Sequence, residues 1–242
     1  MIKLAVCCST YNRPRLLGEL IHSFTVQTLP LENRELIILD DAGQYGDLRG
    51  EGWQVVSFPR RFASLGEKRN ACISLASPET THIVVADDDD IYLPWWLECH
   101  AKNFDRGARW SFASSAYWSE DNQITGKWHY QNDTFLMHPN HAFEKSLFWE
   151  AGGYPRLAGW EDWSFFQTIL KSGVAHDDSL ADEQYPFLIY RRFTSEKHMT
   201  CVSVEAYQKE FAPTLPRAEL EIGWHRDYLE DIHIHERTQE KS

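Results

Sequence analysis

Apolar runs that stop abruptly at polar clusters organise the first hundred positions. Residues 2–8, IKLAVCC, are almost continuously apolar, as a strand buried on both faces of a parallel sheet would be. The turn STYNRP follows, with Asn12 expected as an N-cap and Pro14 in the first turn of a helix. Leu16, Leu17, Leu20, Ile21 and Phe24 then recur at helical spacing and define one buried stripe, which Pro30 closes. ELIIL at 35–39 reads as a second strand ending at Asp40-Asp41-Ala42-Gly43, and WQVVSF at 53–58 as a third. Residues 66–76 read as a helix with Ala71, Cys72, Leu75 and Ala76 inward, broken by Ser77-Pro78. HIVVA at 82–86 is a fourth strand that runs straight into Asp87-Asp88-Asp89-Asp90, and Pro94 opens another helix.

Strands alternating with helices at this spacing predict βαβ units around a parallel sheet, hence an α/β fold. Ligands of such sheets bind beyond the carboxyl ends of the strands. Three polar clusters are expected there, residues 9–13, Asp40-Asp41 and residues 87–90, converging in one crevice. After residue 105 the pattern loosens. Segments 109–118 and 124–130 read as antiparallel strands, 152–155 as a turn, 161–171 as a helix with Gly173 near its C-cap, and 185–190 as a last strand. The tail from about 203 is charged and partly helical.

Composition narrows the picture. The 242 residues carry a formal charge of −12, a prior against nucleic acid and anionic lipid and compatible with a divalent cation. Of the ten tryptophans many are expected in the core, and a surplus of such flat rings is also what a sugar-handling cleft would show. The five cysteines match no zinc spacing, and free thiols in a reducing cytoplasm are the expectation. Neither a signal peptide nor a membrane span is expected.

Four adjacent carboxylates are usually a solvated loop. These cap a buried strand, where charge has no reason to collect unless something offsets it. Mn2+ or Mg2+ prefers oxygen ligands and takes one or two carboxylates plus substrate phosphates, so the run points to a metal–diphosphate site.

STYNRP, ILDDAG, LGEKRNA, VVADDDDIYLP, EAGGYP and GWEDW follow one another as in family 2 glycosyltransferases of the GT-A fold, and the chain resembles that family over roughly residues 2–200. The resemblance implies a Rossmann-like, mostly parallel sheet flanked by helices in a catalytic domain 1–202, with a short C-terminal helical extension 203–242. It implies an inverting, metal-dependent transfer from a nucleoside-diphosphate sugar, UDP-linked by preference, to an acceptor hydroxyl. Ser9, Thr10, Tyr11, Asn12 and Arg13 would contact base and ribose, with Tyr11 stacking on the base, Asp41 accepting from a uracil-type ring and Arg69 near base or phosphates. Counting back from IYLP makes Asp89 the metal ligand and Asp87 its partner. Asp88 faces the ribose or shares the metal, and Asp90 is either part of the site or a cap of the following helix.

In the same resemblance Asp162 is the catalytic base, with Glu161 beside it either catalytic or structural. Trp160 and Trp163 flank the pair, and Trp160 would contact the donor sugar. Arg191, Arg192 and Lys197 would neutralise the diphosphate or decorate the surface. His198 would be a third metal ligand on a lid at 193–200. The acceptor stays open, with His141, Tyr154 and Trp160 as candidate contacts. YRRFTSEKHMT resembles small phage-type transferases, some of which act on modified DNA bases, an acceptor the net charge disfavours. A catalytically idle nucleotide-sugar-binding protein on the same fold is the alternative from another class.

Overall fold

In strand β1 (Leu4–Thr10), Leu4, Val6 and Cys8 pack to one side and Ala5 and Cys7 to the other, so each face of the sheet carries its own core. This follows from an unbroken apolar run, which has no polar face to turn to solvent. The computed structural model describes residues 2–120, 123–129, 137–157, 159–181, 183, 185–192 and 215–239.

β1 pairs in parallel with β2 (Arg34–Asp40) on one side and β5 (His82–Asp87) on the other. β4 (Trp53–Ser57) continues the parallel run beyond β2, and β3 (Leu48–Gly50) closes that edge antiparallel. Beyond β5 come β10 (His141–Glu144), β7 (Trp110–Phe112) and β11 (His176–Asp178), giving the order β11-β7-β10-β5-β1-β2-β4-β3. β10 runs antiparallel to both of its neighbours, so the sheet is mixed with a parallel centre.

Helices α1 (Pro14–Thr25) and α3 (Trp96–Asp105) cover one face, while α2 (Leu65–Ser74), α4 (Lys145–Glu150) and α5 (Glu161–Lys171) cover the other. A second sheet, β6 (Ile91–Tyr92), β12 (Leu188–Arg192), β8 (Ser115–Glu120) and β9 (Gln123–His129), lies on the α1 side in the order β6-β12-β8-β9. Helix α6 (Tyr228–Gln239) packs there through Tyr228 and Ile232.

Several local expectations are corrected. Asn12 is not the N-cap of α1. It adopts a left-handed φ of 54°, which Asn tolerates better than most residues, and Arg13 takes the cap position without a side-chain hydrogen bond. Leu75 lies past the end of α2 and is 38% exposed, while Ile73 and Lys68 are turned inward instead. The last strand is shifted to Leu188–Arg192. Cys7, Cys8, Cys72 and Cys99 are buried free thiols. Cys201 and the segment 193–200 lie outside the described residues.

The approach to α5 is fixed by α2. Asn70 donates Nδ2–H to the Tyr154 carbonyl and accepts from the Tyr154 amide, both at 2.9 Å. One turn earlier, the Gly66 amide donates to the Leu157 carbonyl at 3.1 Å. A Cβ on Gly66 would stand 1.9 Å from the Pro155 carbonyl oxygen, a backbone atom with no room to retreat. Gly66→Ala should therefore destabilise the protein by about 1–3 kcal/mol, read as a Tm lowered by several degrees. An unchanged Tm would show that the 154–157 loop is not pinned to α2.

Candidate active site

The parallel register brings three strand ends together: Thr10 lies opposite Asp40, and Ser9 opposite Asp87. The clusters predicted to converge therefore do. Their roles separate once hydrogen bonds are followed.

Asp40 is fully buried and holds a turn. It accepts from the amides of Ala42 at 2.9 Å and Gln44 at 3.0 Å and from the Ser57 hydroxyl at 2.6 Å. Asp41 is buried beside it, with Lys68 Nζ donating to Oδ1 at 2.5 Å and Arg61 to the same oxygen. The Phe62 amide reaches its Oδ2 at 3.2 Å. Burial lowers the Lys68 ammonium from its usual pKa, against the opposing pull of Asp41. Lys68 also donates to the Thr10 carbonyl at 2.5 Å, tying the β1 turn to the β2 turn. Arg61 lies 4.1 Å from the centre of the Tyr11 ring. Asn12 accepts from Gln44 at 3.2 Å.

The four aspartates have four different environments. Asp88 is buried and accepts from the Thr10 hydroxyl at 2.6 Å and from Arg13 at 2.8 Å, so it faces the β1 turn. The same Arg13 nitrogen reaches Asp89 at 2.8 Å. Asp87 meets His138 Nδ1 at 3.1 Å and Arg69 at 3.4 Å. Burial acts to raise its carboxyl, but His138 and Arg69 outweigh that and hold it well below the usual range. Asp89 goes the other way: burial, then the neighbouring Asp88, push it up to about 7 in spite of Arg13. Asp90 is raised as well, by burial and by Asp89 and Asp87. It is no helix cap; its Oδ1 accepts from the Arg191 amide at 2.9 Å, and its Oδ2 is buried with no hydrogen-bond partner.

Arg69 links this cluster to α5. Its Nε donates to Glu161 at 2.9 Å while Nη1 reaches Asp87 and the His138 ring. Glu161 is 2% exposed, and burial raises its carboxyl against the pull of Arg69. Asp162, the next residue, is only partly buried and accepts from the Trp163 amide at 2.7 Å. Trp160 precedes them with a left-handed φ of 64° and is 62% exposed. A small pocket behind Arg69 is lined by Ser9, His138 and Tyr154, and the Ser9 hydroxyl has no partner there.

His141 and Tyr154 are not surface contacts for an acceptor. His141 is fully buried, stacked 3.8 Å from Phe166 and accepting from Trp110 at 2.9 Å, and Tyr154 is 2% exposed with its hydroxyl 3.2 Å from His138. His198 and Lys197 lie outside the described residues. Lys68, Arg61 and His138 escaped the sequence reading. Lys68 adjoins Arg69 in the same LGEKRN segment and could have been found; a lone His138 in HPN gives no signal.

Among the described residues no three His, Cys, Asp or Glu side chains converge as a ready metal cage. A hard divalent cation does not need one, since phosphate and water oxygens complete its shell. The carboxylate oxygens of Asp87 and Asp89 suit such an ion. Among the described residues, the raised Asp89 carboxyl and the partnerless Asp90 oxygen mark more negative charge than Arg13, Arg69 and Arg191 offset.

A sequence profile described as Glycosyl transferase family 2 matches residues 5–160. No curated protein matches the sequence significantly. Among solved structures, S. aureus TarS 1-349 in complex with UDP-GlcNAc is similar at a TM-score of 0.64 and 16% identity, covering 86% of this chain and 64% of that one. The mannosyltransferase PcManGT from Pyrobaculum calidifontis, in complex with GDP-Man and Mn2+, is similar at a TM-score of 0.57 and 15% identity, covering 78% and 56%. The chain thus spans less than two thirds of either.

The Asp89 environment predicts a pH effect in metal-free protein. A folded-state carboxyl raised to about 7 keeps a proton that the unfolded chain releases near 3.8, so its stabilising contribution is lost as pH rises through that window. His82, pulled down to about 4 by burial, and His100, to about 3, act oppositely below 6.5. Asp89→Asn removes this carboxylate together with its repulsion on Asp90. The variant should melt above the wild type at pH 7.5, and the gap should close toward pH 5. A gap independent of pH would contradict the raised carboxyl.

Proposed function

The chain belongs to glycosyltransferase family 2 and is a glycosyltransferase of GT-A fold, and from that membership we propose that it moves a sugar from a nucleoside-diphosphate sugar, UDP-linked by preference, to an acceptor hydroxyl with inversion at the anomeric carbon. The observation that carries this is the division of labour between consecutive acids. Glu161 is buried on Arg69, which reaches back to Asp87, while Asp162 is left partly open at the start of α5.

The donor lies across the ends of β1, β2 and β5. Asp41 reads the base. A carboxylate offers about four lone-pair directions, and among the described residues Lys68, Arg61 and the Phe62 amide use three, leaving one on Oδ2 for a ring N–H. Ser9, Thr10, Tyr11, Asn12 and Arg13 form the wall that meets base and ribose. Asp88 holds that wall in place through Thr10 and Arg13. Asp87 and Asp89 hold Mn2+ or Mg2+, which when bound offsets charge on the diphosphate. His198 stays a candidate third ligand.

Asp162 takes the proton of the acceptor hydroxyl as its oxygen bonds to the anomeric carbon. The bond from that carbon to the diphosphate oxygen breaks, and the electron pair leaves with the nucleoside diphosphate. A single base on the face opposite the leaving group yields inversion. Trp160 offers its exposed ring to the sugar. Glu161 keeps Arg69 in line and does not itself exchange a proton with substrate.

No helix of the described residues is long and apolar enough to cross a membrane. The donor reading is tested by thermal stabilisation with UDP, GDP and their sugars, each with and without Mn2+. Metal-dependent stabilisation by a uridine nucleotide is expected, and none by any nucleoside diphosphate would sink the reading. Asp162→Asn should keep donor binding while transfer falls by roughly 10²–10⁴-fold. Transfer at the wild-type rate would remove Asp162 from its role.

A further inference from the structure

Two charged side chains lie in the apolar layer between the two sheets. Glu19, within α1, is fully buried, and Arg191, on β12, is 1% exposed. Arg191 Nη1 donates to Glu19 Oε2 at 2.6 Å and to the Tyr228 hydroxyl at 3.1 Å. Tyr228 donates in turn to Glu19 Oε1 at 3.0 Å, and the His225 amide reaches that oxygen at 3.3 Å. A buried pair of this kind is weak evidence for stability, because apolar residues of equal volume often serve as well. Its retention calls for another reason.

The reason lies at the other end of the guanidinium. Arg191 Nε donates to the Asp89 carbonyl at 2.5 Å, and the Arg191 amide donates to Asp90 Oδ1 at 2.9 Å. One residue thus grips two successive members of the aspartate run, and it is itself aimed by Glu19 and Tyr228. Tyr228 comes from the C-terminal segment, which also touches the other donor wall. The Ala218 amide donates to the Gln44 carbonyl at 3.0 Å, and Gln44 donates back to the Pro216 carbonyl at 3.5 Å and to Asn12 at 3.2 Å. Between these two anchors the segment crosses α1 at Gly18, where a Cβ would stand 1.9 Å from the Glu221 carbonyl oxygen. Trp224 fastens the crossing by donating to Ser23 at 3.0 Å.

We infer that Arg191 is a positioning residue for the metal-holding Asp89, and that the C-terminal segment 215–228 completes the donor site by aiming it. The inference rests on the donor reading above. The segment docks on α1 and fixes Glu19, Glu19 and Tyr228 orient the guanidinium, and the guanidinium sets the backbone on which the Asp89 carboxylate is mounted. The chain of contact is continuous from Glu221 to Asp89.

Two variants test it without leaving a buried charge alone. Tyr228→Phe removes one hydroxyl and keeps the ring. Gly18→Ala bars the close approach of residue 221 while favouring α1 itself, since Ala is the better helix former. Phe104→Leu, a packing change in α3 away from the network, is the control for lost stability. The readouts are Mn2+ affinity, by the Mn2+ paramagnetic resonance signal, and UDP affinity in saturating Mn2+, by calorimetry. Outer residues that orient metal ligands typically change affinity by about 10–100-fold. Weakening of about tenfold is expected in both variants, with Phe104→Leu binding as wild type at a matched fall in Tm. Wild-type affinity in Tyr228→Phe and Gly18→Ala would overturn the inference while leaving the donor reading intact, and so would equal weakening in Phe104→Leu. A wild type that binds no nucleoside diphosphate with Mn2+ removes the donor reading, and this inference with it.

Discussion

Four adjacent carboxylates at the end of a buried strand are the constraint around which the site is arranged. Two like charges about 4 Å apart repel by about 4 kcal/mol at an effective dielectric of 20, so the run cannot be left to itself. The chain answers from four separate elements. Arg13 comes from the turn after β1, Arg69 from α2, His138 from the turn before β10 and Arg191 from β12. The answers are unequal. Asp87 and Asp88 are well matched, whereas the Asp89 carboxyl rises to about 7 and Asp90 keeps a buried oxygen unpartnered. Among the described residues, two of the four acids are thus left short of positive charge, whereas a fully neutralised run would exert no attraction on a cation.

The same cations carry information outward. Arg69 holds Asp87 with one nitrogen and Glu161 with another, so the aspartate run and the start of α5 share a single group. Lys68, its neighbour on α2, binds Asp41 and the Thr10 carbonyl and joins the turns after β1 and β2. Successive residues on one helix thus brace the Asp41 side and the Asp87 side of the crevice. Asn70 and Gly66 fasten the 154–157 loop to the same helix. Of all the elements, α2 does most to hold the crevice in shape, although its own apolar stripe is short.

What could be read in the sequence follows from how local each signal is. β1, β2, β4 and β5 are legible because strands buried on both faces are continuous apolar runs, and their polar endings mark the crevice directly. The three-residue strands β3, β7 and β11 are too short for a period to show. The division into two sheets depends on where residues 113–114 turn, which no periodicity records. Asn12 misled because the same short polar side chain that caps a helix also tolerates the left-handed backbone it adopts. Asp90 misled because its partner is the amide of residue 191. Glu19 is the clearest case of a signal hidden by distance: within α1 it is one acid beside an apolar stripe, and the residue that explains it lies 172 positions away.

The orientation of the two acids of α5 is set by strain. A bulky side chain at a left-handed φ costs about 1–3 kcal/mol, and Trp160 adopts one at 64° with most of its ring in solvent. With most of the ring in solvent, little packing is available to offset that cost, and the fixed flanks hold the backbone there. On one side the Leu157 carbonyl is held by Gly66, and on the other Glu161 is held by Arg69. Between those fixed points the chain has few residues in which to reverse and enter a helix. Consecutive helical positions diverge by about 100°, so a helix that begins with Glu161 turned inward to Arg69 leaves Asp162 partly exposed. The exposed indole and the partly exposed carboxylate are two consequences of one tight turn, and a relaxed backbone at residue 160 would lose both.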